Sequence, residues 1–450
     1  MKRLFLLGML AALAAPSLPG AATPARTTWK AGAAIVDITP EGPAWMAGYA
    51  GRNKPSEAVV QKLFAKALAL EDASGGVVVL VTLDLIGAPK PLRDATERHV
   101  RERHQLRPEQ VLLNASHTHS GPSLYGRGVG DPAWVKRANT YSRQLETAVA
   151  RAIDDALARR EPATLHYTRA RAGFAMNRRL RVGTEIRNSP NPDGPVDHDV
   201  PVLRVANARN EITAILFGYA CHNTVTGTYS INGDYAGYAQ AALEAARPGT
   251  VALFLMGAGG DQNPYPRGNL EQSSQHGRTL ANAVEAALAV VNPRPVQGPL
   301  RSALAYAEID YADITRADLE RRAASRVAAD RARAGQLLAQ LDAGTLPKSY
   351  PCPVQVVQFG VDLTVIAIGG ETTVDYSLRL KRELAGGPQA IWVAGYSNDY
   401  FGYLGSRRVI MEGGYEGYSA NLGRHPGPWA TTTEDRVVHL AHELIRAVNH

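Results

Sequence analysis

Apolar residues fall along this chain in short dense runs, each ended by a polar or glycine-rich turn. Val77 to Leu83 is a β-branched run closed by Asp84, and Val111-Leu112-Leu113 is a second. Ile212 to Ala220 and Val251 to Met256 follow, Val354 to Phe359 is set to pair with Leu363 to Ile368 across Gly360, and Ile391 to Ala394 is a last short strand. Short apolar runs without alternation predict strands buried on both faces. Between them lie stretches with helical spacing: 91–104, Tyr141 to Ala158, Ala236 to Ala246, Tyr376 to Leu384, and a C-terminal helix with Val437, Leu440, Leu444 and Val448 on its apolar face. This mixture predicts an α/β fold, a central mixed β-sheet core flanked by helices.

Residues 313–341 differ: they are rich in Ala, Arg and acids, with Leu319, Val327 and Leu337-Leu338 as sparse apolar anchors. That pattern predicts one long, half-exposed helix, solvated on the surface rather than partner-binding. The Asn/Pro/Asp-rich stretch 188–197 reads as a structured loop near the site. No Gly/Ser linker and no internal repeat interrupts the chain, so residues 26–450 are expected to form one domain.

The first residues change the setting. Met1-Lys2-Arg3, a short apolar core from Leu4 to Ala15, and small residues with Ala22 and Ala25 as cleavage points read as a signal peptide over 1–25. The run is too short for a bilayer and nothing later is longer, so the mature protein is expected to be soluble, periplasmic or secreted. Formal charge is +7, falling by two with Lys2 and Arg3. No basic block interleaved with aromatics suggests a nucleic-acid groove. A mildly basic surface is compatible with anionic substrates or peripheral membrane contact. Cys221 and Cys352, the only cysteines, exclude a disulfide-built scaffold; export permits one bridge, and Cys221 in its apolar run reads better as a buried free thiol. Oligomeric state leaves no mark in the sequence.

Candidate chemistry gathers where the apolar runs end. The first end carries Asn114-Ala115-Ser116-His117-Thr118-His119-Ser120-Gly121-Pro122. Two imidazoles one residue apart can converge on a borderline metal such as zinc, or simply hydrogen-bond within a polar loop; the spacing alone leaves both readings open. The second end carries His222-Asn223-Thr224, the third Gly257-Ala258-Gly259-Gly260-Asp261-Gln262-Asn263-Pro264, the fourth Glu371-Thr372-Thr373, and the fifth Tyr396 to Tyr403. Sites in α/β proteins collect outside strand ends, so five polar ends outweigh any one of them. His439 and His442 stand at i, i+3 on the last helix, which is not metalloprotease spacing, and read as surface or capping groups.

Taken in order, these segments resemble the neutral/alkaline ceramidase family. The match begins with Val36-Asp37-Ile38-Thr39-Pro40 and Met46-Ala47-Gly48-Tyr49-Ala50, and runs through His117-Thr118-His119-Ser120-Gly121-Pro122 and Ala220-Cys221-His222. It continues with Gly260-Asp261, Gly370-Glu371, Asn398 to Tyr403 and Gly413-Gly414-Tyr415-Glu416-Gly417. The resemblance implies a catalytic domain with one Zn2+ held by His117, His222, Glu371 and Tyr403, with Tyr400 the alternative for the last place. It makes His119 an acid/base or carbonyl-polarising group rather than a ligand. Asp261 and Asn263 are placed in the catalytic set, and Tyr400, Tyr415 and Arg178 against substrate.

The chain departs from the family at two points. Family members carry a serine, required for ceramide cleavage, where Asn263 stands; an amide can donate to an oxyanion but is no ordinary nucleophile. The sequence also stops soon after its C-terminal helix, so the extra β-sandwich of many ceramidases is not expected. The expectation is an exported zinc-dependent hydrolase that cleaves an N-acyl amide, or a lipid-like relative of one, with metal-activated water, Asn263 and the Gly257–Gly260 loop steadying the oxyanion. A zinc-dependent esterase and a non-catalytic binding protein of the same fold are the rivals.

Overall fold

The expected strands form, but in two main sheets rather than one. The computed structural model describes residues 29–326 and 328–449; the leader expected at 1–25 lies outside them, as does Val327. The chain begins with β1 (Trp29–Asp37), β2 (Phe64–Asp72), β3 (Val77–Leu83), α1 (Lys90–His104), β4 (Val111–Ala115) and α2 (Pro132–Ala158). It continues through β5 (Glu161–Arg171), β6 (Asp199–Asn207), β7 (Ile212–Tyr219), α3 (Asp234–Ala246), β8 (Val251–Met256), α4 (Leu270–Leu288) and β9 (Arg294–Val296). The last part holds β10 (Leu300–Asp310), α5 (Arg316–Ala323), α6 (Ala328–Asp342), β11 (Ser349–Phe359), β12 (Leu363–Ile368), α7 (Val374–Glu383), β13 (Ala390–Ala394) and α8 (Thr433–Asn449).

The large sheet has nine strands in the order β8-β7-β6-β5-β1-β2-β3-β4, with β9 beside β5, and the second runs β10-β11-β12-β13. Both are mixed. Most neighbours are antiparallel, but β3–β4, β7–β8 and β12–β13 are parallel pairs. Alternate residues of one strand serve different layers. Val79, Val81 and Leu83 meet Leu92 and Val100 of α1 and Leu145, Val149 and Ile153 of α2. Val78, Leu80 and Leu112 turn the other way, onto Val357, Phe359, Val365 and Trp392 of the second sheet. Phe217 and Phe254 pack beneath α3 and α4, and Val356, Ile366 and Val393 beneath α7 and α8. The layers therefore run helix, sheet, sheet, helix. Both faces of each central strand are covered, which is why the runs lack a period of two.

Three sequence expectations need correction. Helix α2 starts at Pro132 rather than Tyr141, because Asp131 caps it by accepting from the amides of Ala133 and Trp134 and proline suits the first turn. Residues 313–341 are two helices, not one. Thr315 and Asp318 form a capping box for α5, and the pair folds so that Leu319, Ala334 and Leu337 are all buried. Residues 188–191 of the expected loop belong to the strand Glu185–Asn191, paired with Ala175–Val182. Among the described residues no helix is long and apolar enough to cross a membrane. Cys221 and Cys352 are both free and buried.

One buried amide fastens the sheets where the parallel pairs end. Asn114 on β4 donates to the carbonyls of Met256 (3.2 Å) and Gly395 (2.8 Å) and to Ser397 Oγ (3.1 Å). Its oxygen accepts from Met256 N at 2.7 Å. The two edge strands of the large sheet, β4 and β8, are thereby held to each other and to the end of β13. An unpaired buried polar group costs about 1–3 kcal/mol, and Asn114→Ala strands several. Urea denaturation is expected to show a loss on the order of 3 kcal/mol; a loss under about 1 kcal/mol would remove Asn114 from this role.

Candidate metal centre and its cleft

All five polar strand ends sit at carboxyl ends of the parallel pairs, and four of them bring groups to one point. His117 lies just past β4, where Ser116 N and His117 N donate to the carbonyls of Leu83 and Leu85 (2.9 Å each) and its φ is +63°. His222 lies just past β7, its amide donating to Gln262 O at 3.0 Å. Glu371 follows β12 and pairs in register with Tyr403 in a two-residue parallel ladder. Gly370 makes that turn possible: its φ is +71°, and a Cβ there would stand 2.7 Å from the Phe401 ring and 2.8 Å from Gly402 O.

The side chains meet through atoms that carry lone pairs. His117 Nδ1 lies 2.7 Å from Ile86 O and His222 Nδ1 2.7 Å from Gly259 O. A carbonyl only accepts, so in the neutral rings both protons sit on Nδ1 and both Nε2 atoms present lone pairs. These nitrogens stand 3.2 and 3.5 Å from Glu371 Oε2, an oxygen with no hydrogen-bond partner. Tyr403 OH is 3.3 Å from His222 Nε2, the rings stacked at 14°. Burial opposes ionisation of Glu371; positive charge at His117 and then His222 would outweigh it and hold its pKa well below the usual range. Burial, with Arg178 next, pushes His222 down to about 3.

Lone pairs facing an anionic oxygen in a dry site repel unless positive charge lies between them. One proton relieves one contact; a divalent ion relieves all of them. Ligand atoms set tetrahedrally about ~2.0–2.1 Å from an ion are roughly 3.3–3.4 Å apart, close to the spacings here. The donor set therefore fits a metal ion.

His119 belongs to the same cluster, its Nε2 3.0 Å from that of His117; the imidazole nitrogens of His117, His119 and His222 all lie within 4.8 Å. It differs in being only half-buried, and its Nδ1 has no partner. Burial, then His117 and His222, holds its pKa well below the usual value, so the ring is neutral. Gly48 lets the 46–50 loop lie on it, since a Cβ there would fall 2.4 Å from the His119 ring. Two other histidine groups stay apart from this centre: His99 and His104 share Asp154 between α1 and α2, and His439 and His442 pair separately with Glu443 and Glu383.

Two expected roles change. Arg178 does not face substrate. It is buried, with Nε on Glu416 (2.7 Å), Nη1 on Asn263 Oδ1 (3.2 Å) and Nη2 on Tyr403 OH (2.8 Å). It positions the tyrosine and stabilises its phenolate, against the burial that raises that phenol's pKa. Asp261 is likewise a brace rather than a catalytic acid. Its oxygens accept from Val374 N at the start of α7 (2.8 Å), Asn177 (3.2 Å) and Arg408 (3.4 Å), and burial raises its pKa to about 6. Asn263 is fully buried; Arg178 and Thr224 hold its oxygen, while Nδ2 has no partner.

The centre opens into a cleft of about 1020 Å³ whose lining includes His119, Glu371, Tyr400, Tyr403 and Tyr415. Tyr400 places its ring 5.9 Å from His117, but its hydroxyl takes a bond from Arg424; Tyr403, not Tyr400, presents its oxygen to His222. Tyr415 is half-exposed with its ring against that of Tyr403. Sequence reasoning missed Tyr396, whose buried, unpartnered hydroxyl belongs to a ring 4.6 Å from His117, and Glu416, which accepts from both Arg178 and Arg179. Both lie in segments that had been singled out, but nothing in their spacing distinguished them from neighbouring residues.

The fold is layered α/β with a buried imidazole–carboxylate centre where its parallel pairs end. The profile of the family described as neutral/alkaline non-lysosomal ceramidase, N-terminal, matches residues 29–269. The chain belongs to that family. A curated neutral ceramidase from Pseudomonas aeruginosa is 25% identical over 250 residues, covering 52% of this chain and 37% of that protein, so the match spans well under half of the relative's length. The crystal structure of neutral ceramidase from Pseudomonas aeruginosa superposes with a TM-score of 0.73 at 20% identity, over 94% of this chain and 74% of that one. A ceramidase complexed with C2 gives 0.73 at 19%, over 94% and 76%. Glu371 and Tyr403 lie beyond the residues the profile matches.

The Glu416 arrangement predicts its own test. Removing one partner of a buried charge network costs about 3–5 kcal/mol, so Glu416→Ala is expected to lower stability by that order, leaving Arg178 and Arg179 without their shared carboxylate. A denaturant midpoint unchanged from wild type would show the network to be unimportant.

Proposed function

We infer that this chain is an exported zinc-dependent amide hydrolase acting on N-acyl, lipid-like substrates. The observation that carries the reading is the meeting of His117 Nε2, His222 Nε2 and Glu371 Oε2 at 3.2 and 3.5 Å, with the Tyr403 oxygen beside them. Two imidazoles, a carboxylate and a phenol suit zinc, and the weakly held phenol leaves room for substrate. A zinc ion there supplies Lewis-acid polarisation of a carbonyl and activation of water.

The protein's own groups do the rest. His119, neutral and open to the cleft, accepts a proton from attacking water and returns it to the departing amine nitrogen. The carbonyls of Ile86 and Gly259 keep His117 and His222 in the tautomer that offers Nε2. Arg178 turns Tyr403 toward His222 and holds the Asn263 oxygen, which leaves the Asn263 amide N–H to donate to an oxyanion. Asn263 cannot act as a serine does, so the nucleophile in this reading is water and long-chain ceramide is a poor substrate. Assay of zinc-loaded protein against N-acyl amino acids, ceramides and simple esters tests it: amide turnover supports the hydrolase, ester turnover alone the esterase, and zinc binding without turnover a binding protein.

Elemental analysis separates ligand from proton carrier. His222→Ala is expected to lose most zinc and activity while remaining folded; His119→Ala is expected to keep zinc and lose ~10²–10⁴-fold in turnover. Zinc lost in step with activity in the second variant would make His119 a ligand.

Asn263→Ala is expected to cost about 2.7–4 kcal/mol of transition-state stabilisation if its amide meets the oxyanion. Undiminished kcat on the preferred amide, or efficient ceramide cleavage by the unmodified protein, would overturn the water-attack reading.

A further inference from the structure

The cleft beside the candidate metal centre is cationic in a way that the hydrolase reading does not use. Its walls carry Arg52, Arg127, Arg333 and Arg424 but a single carboxylate, Glu371. Arg52 is engaged by three carbonyls, those of Ala47, His119 and Thr228. Among the described residues no ion pair joins Arg127, Arg333 or Arg424 to an acid, and two of the three, Arg127 and Arg424, bond one tyrosine. Arg127 donates to Tyr400 O at 3.1 Å, and Arg424 donates to Tyr400 OH at 3.2 Å with its guanidinium 4.6 Å from the ring centre. Arg333, from the α5–α6 hairpin, donates to Arg424 O at 3.3 Å. Arg424 is exposed in the cleft, and a guanidinium has five N–H donors in a fork matched to a carboxylate. Tyr400 also touches His117, with ring centres 5.9 Å apart. One tyrosine ring therefore separates Arg424 from the imidazoles.

Like charges gathered with few counter-ions raise the energy of the folded state, and such clusters draw anions; Glu371 acts on Arg424 and Asp399 on Arg127, neither close enough to pair. The opposite requirement lies nearby. Trp45 and Ser123 line both this cleft and an adjoining groove of about 440 Å³ walled by Pro40, Pro43 and Trp134. An occupant that suits both is amphipathic, with an apolar chain and an anion close to the reacting bond.

We propose that the substrate is an N-acyl amino acid whose carboxylate, adjacent to the scissile amide, is bound by Arg424, and that Arg424 is the specificity-determining residue. This rests on the amide-hydrolase reading above. Water adds to the acyl carbon, the C–N bond breaks, and a proton passes to the amine nitrogen, giving a fatty acid and a free amino acid. A neutral N-acyl amine of the same length leaves the guanidinium unanswered.

The test uses the zinc-loaded full chain and two probes, N-dodecanoylglycine and N-dodecanoylglycinamide, which differ only in carboxylate against carboxamide. Wild type is expected to prefer the acid at least ~10-fold in kcat/KM at low salt, equivalent to about 1.4 kcal/mol, with the preference shrinking as salt rises. Arg424→Gln is expected to bring the ratio to near one, and Arg424→Lys to keep part of it. Because each ratio is taken within one protein, partial loss of metal or fold cancels. If Arg424→Gln does not fold, the wild-type ratio and the lysine variant decide. Equal use of both probes by wild type, or an unchanged ratio in folded Arg424→Gln, overturns the proposal while leaving the hydrolase reading intact. Calorimetric titration covers the converse: tighter binding of the acid with hydrolysis of neither probe keeps Arg424 as an anion site but overturns the proposal that such an acid is the substrate.

Discussion

The buried amide of Asn114 sets where everything else can be. Strands β4 and β8 are opposite edges of the large sheet, and neither has a strand partner on its outer side in that sheet. Asn114 answers this by bonding both backbone groups of Met256 and reaching on to Gly395 and Ser397. A second asparagine continues the seam: Asn398 accepts from Leu113 N and from Arg93 and donates to Gln355. A fully satisfied buried polar network specifies one arrangement where apolar contact would tolerate several. The arrangement it specifies gathers the carboxyl ends of three parallel pairs, and the loops after them have one place to meet.

What they bring there is electrostatically unfavourable taken alone, and the surroundings show how it is contained. Carbonyls fix the outer nitrogens of His117 and His222, so that neither ring can turn a proton inward without losing a bond. Arg178 faces Tyr403 and Asn263, and Glu416 answers the charge of Arg178 and Arg179 together. Burial of so many ionisable groups is tolerable only if charges of both signs are paired outward from the centre. Glu371 Oε2 is the point where that pairing is left incomplete by protein atoms, which is why a cation fits there and not at the His99–His104–Asp154 cluster, where Arg103 already sits 3.1 Å from the aspartate.

Much of this was legible in the sequence for one reason. Parallel strands covered on both sides are continuous apolar runs, and the polar residues just past them are the site, so His117, His222, Glu371 and Tyr403 could be marked from position alone once ordered against a family. The second sheet was hidden because its strands, such as Val354 to Phe359, have the same composition as those of the first; only packing separates them. The break within 313–341 was hidden because an Ala- and Arg-rich stretch has high helix propensity throughout, and tertiary burial of Leu319 and Leu337 decided where it folds back. Arg178 and Asp261 were placed correctly near the centre but in the wrong office, since motif position cannot tell a group that faces substrate from one that holds its neighbour.

Asn263 and the arginines of the cleft bear on one another. In the proposed hydrolase an amide stands where a hydroxyl could attack and water takes that part, and a carboxylate beside the scissile bond opposes such attack by placing negative charge where more is about to develop. A neutral sphingoid amide presents no such difficulty and needs no cation there. In the proposed N-acyl amino acid complex, Arg424 answers the substrate's own charge and the free N–H of Asn263 answers the charge that forms on the carbonyl oxygen. In that proposal, selection of the anion and tolerance of its field fall to the same guanidinium, while the Asn263 amide serves the oxyanion alone.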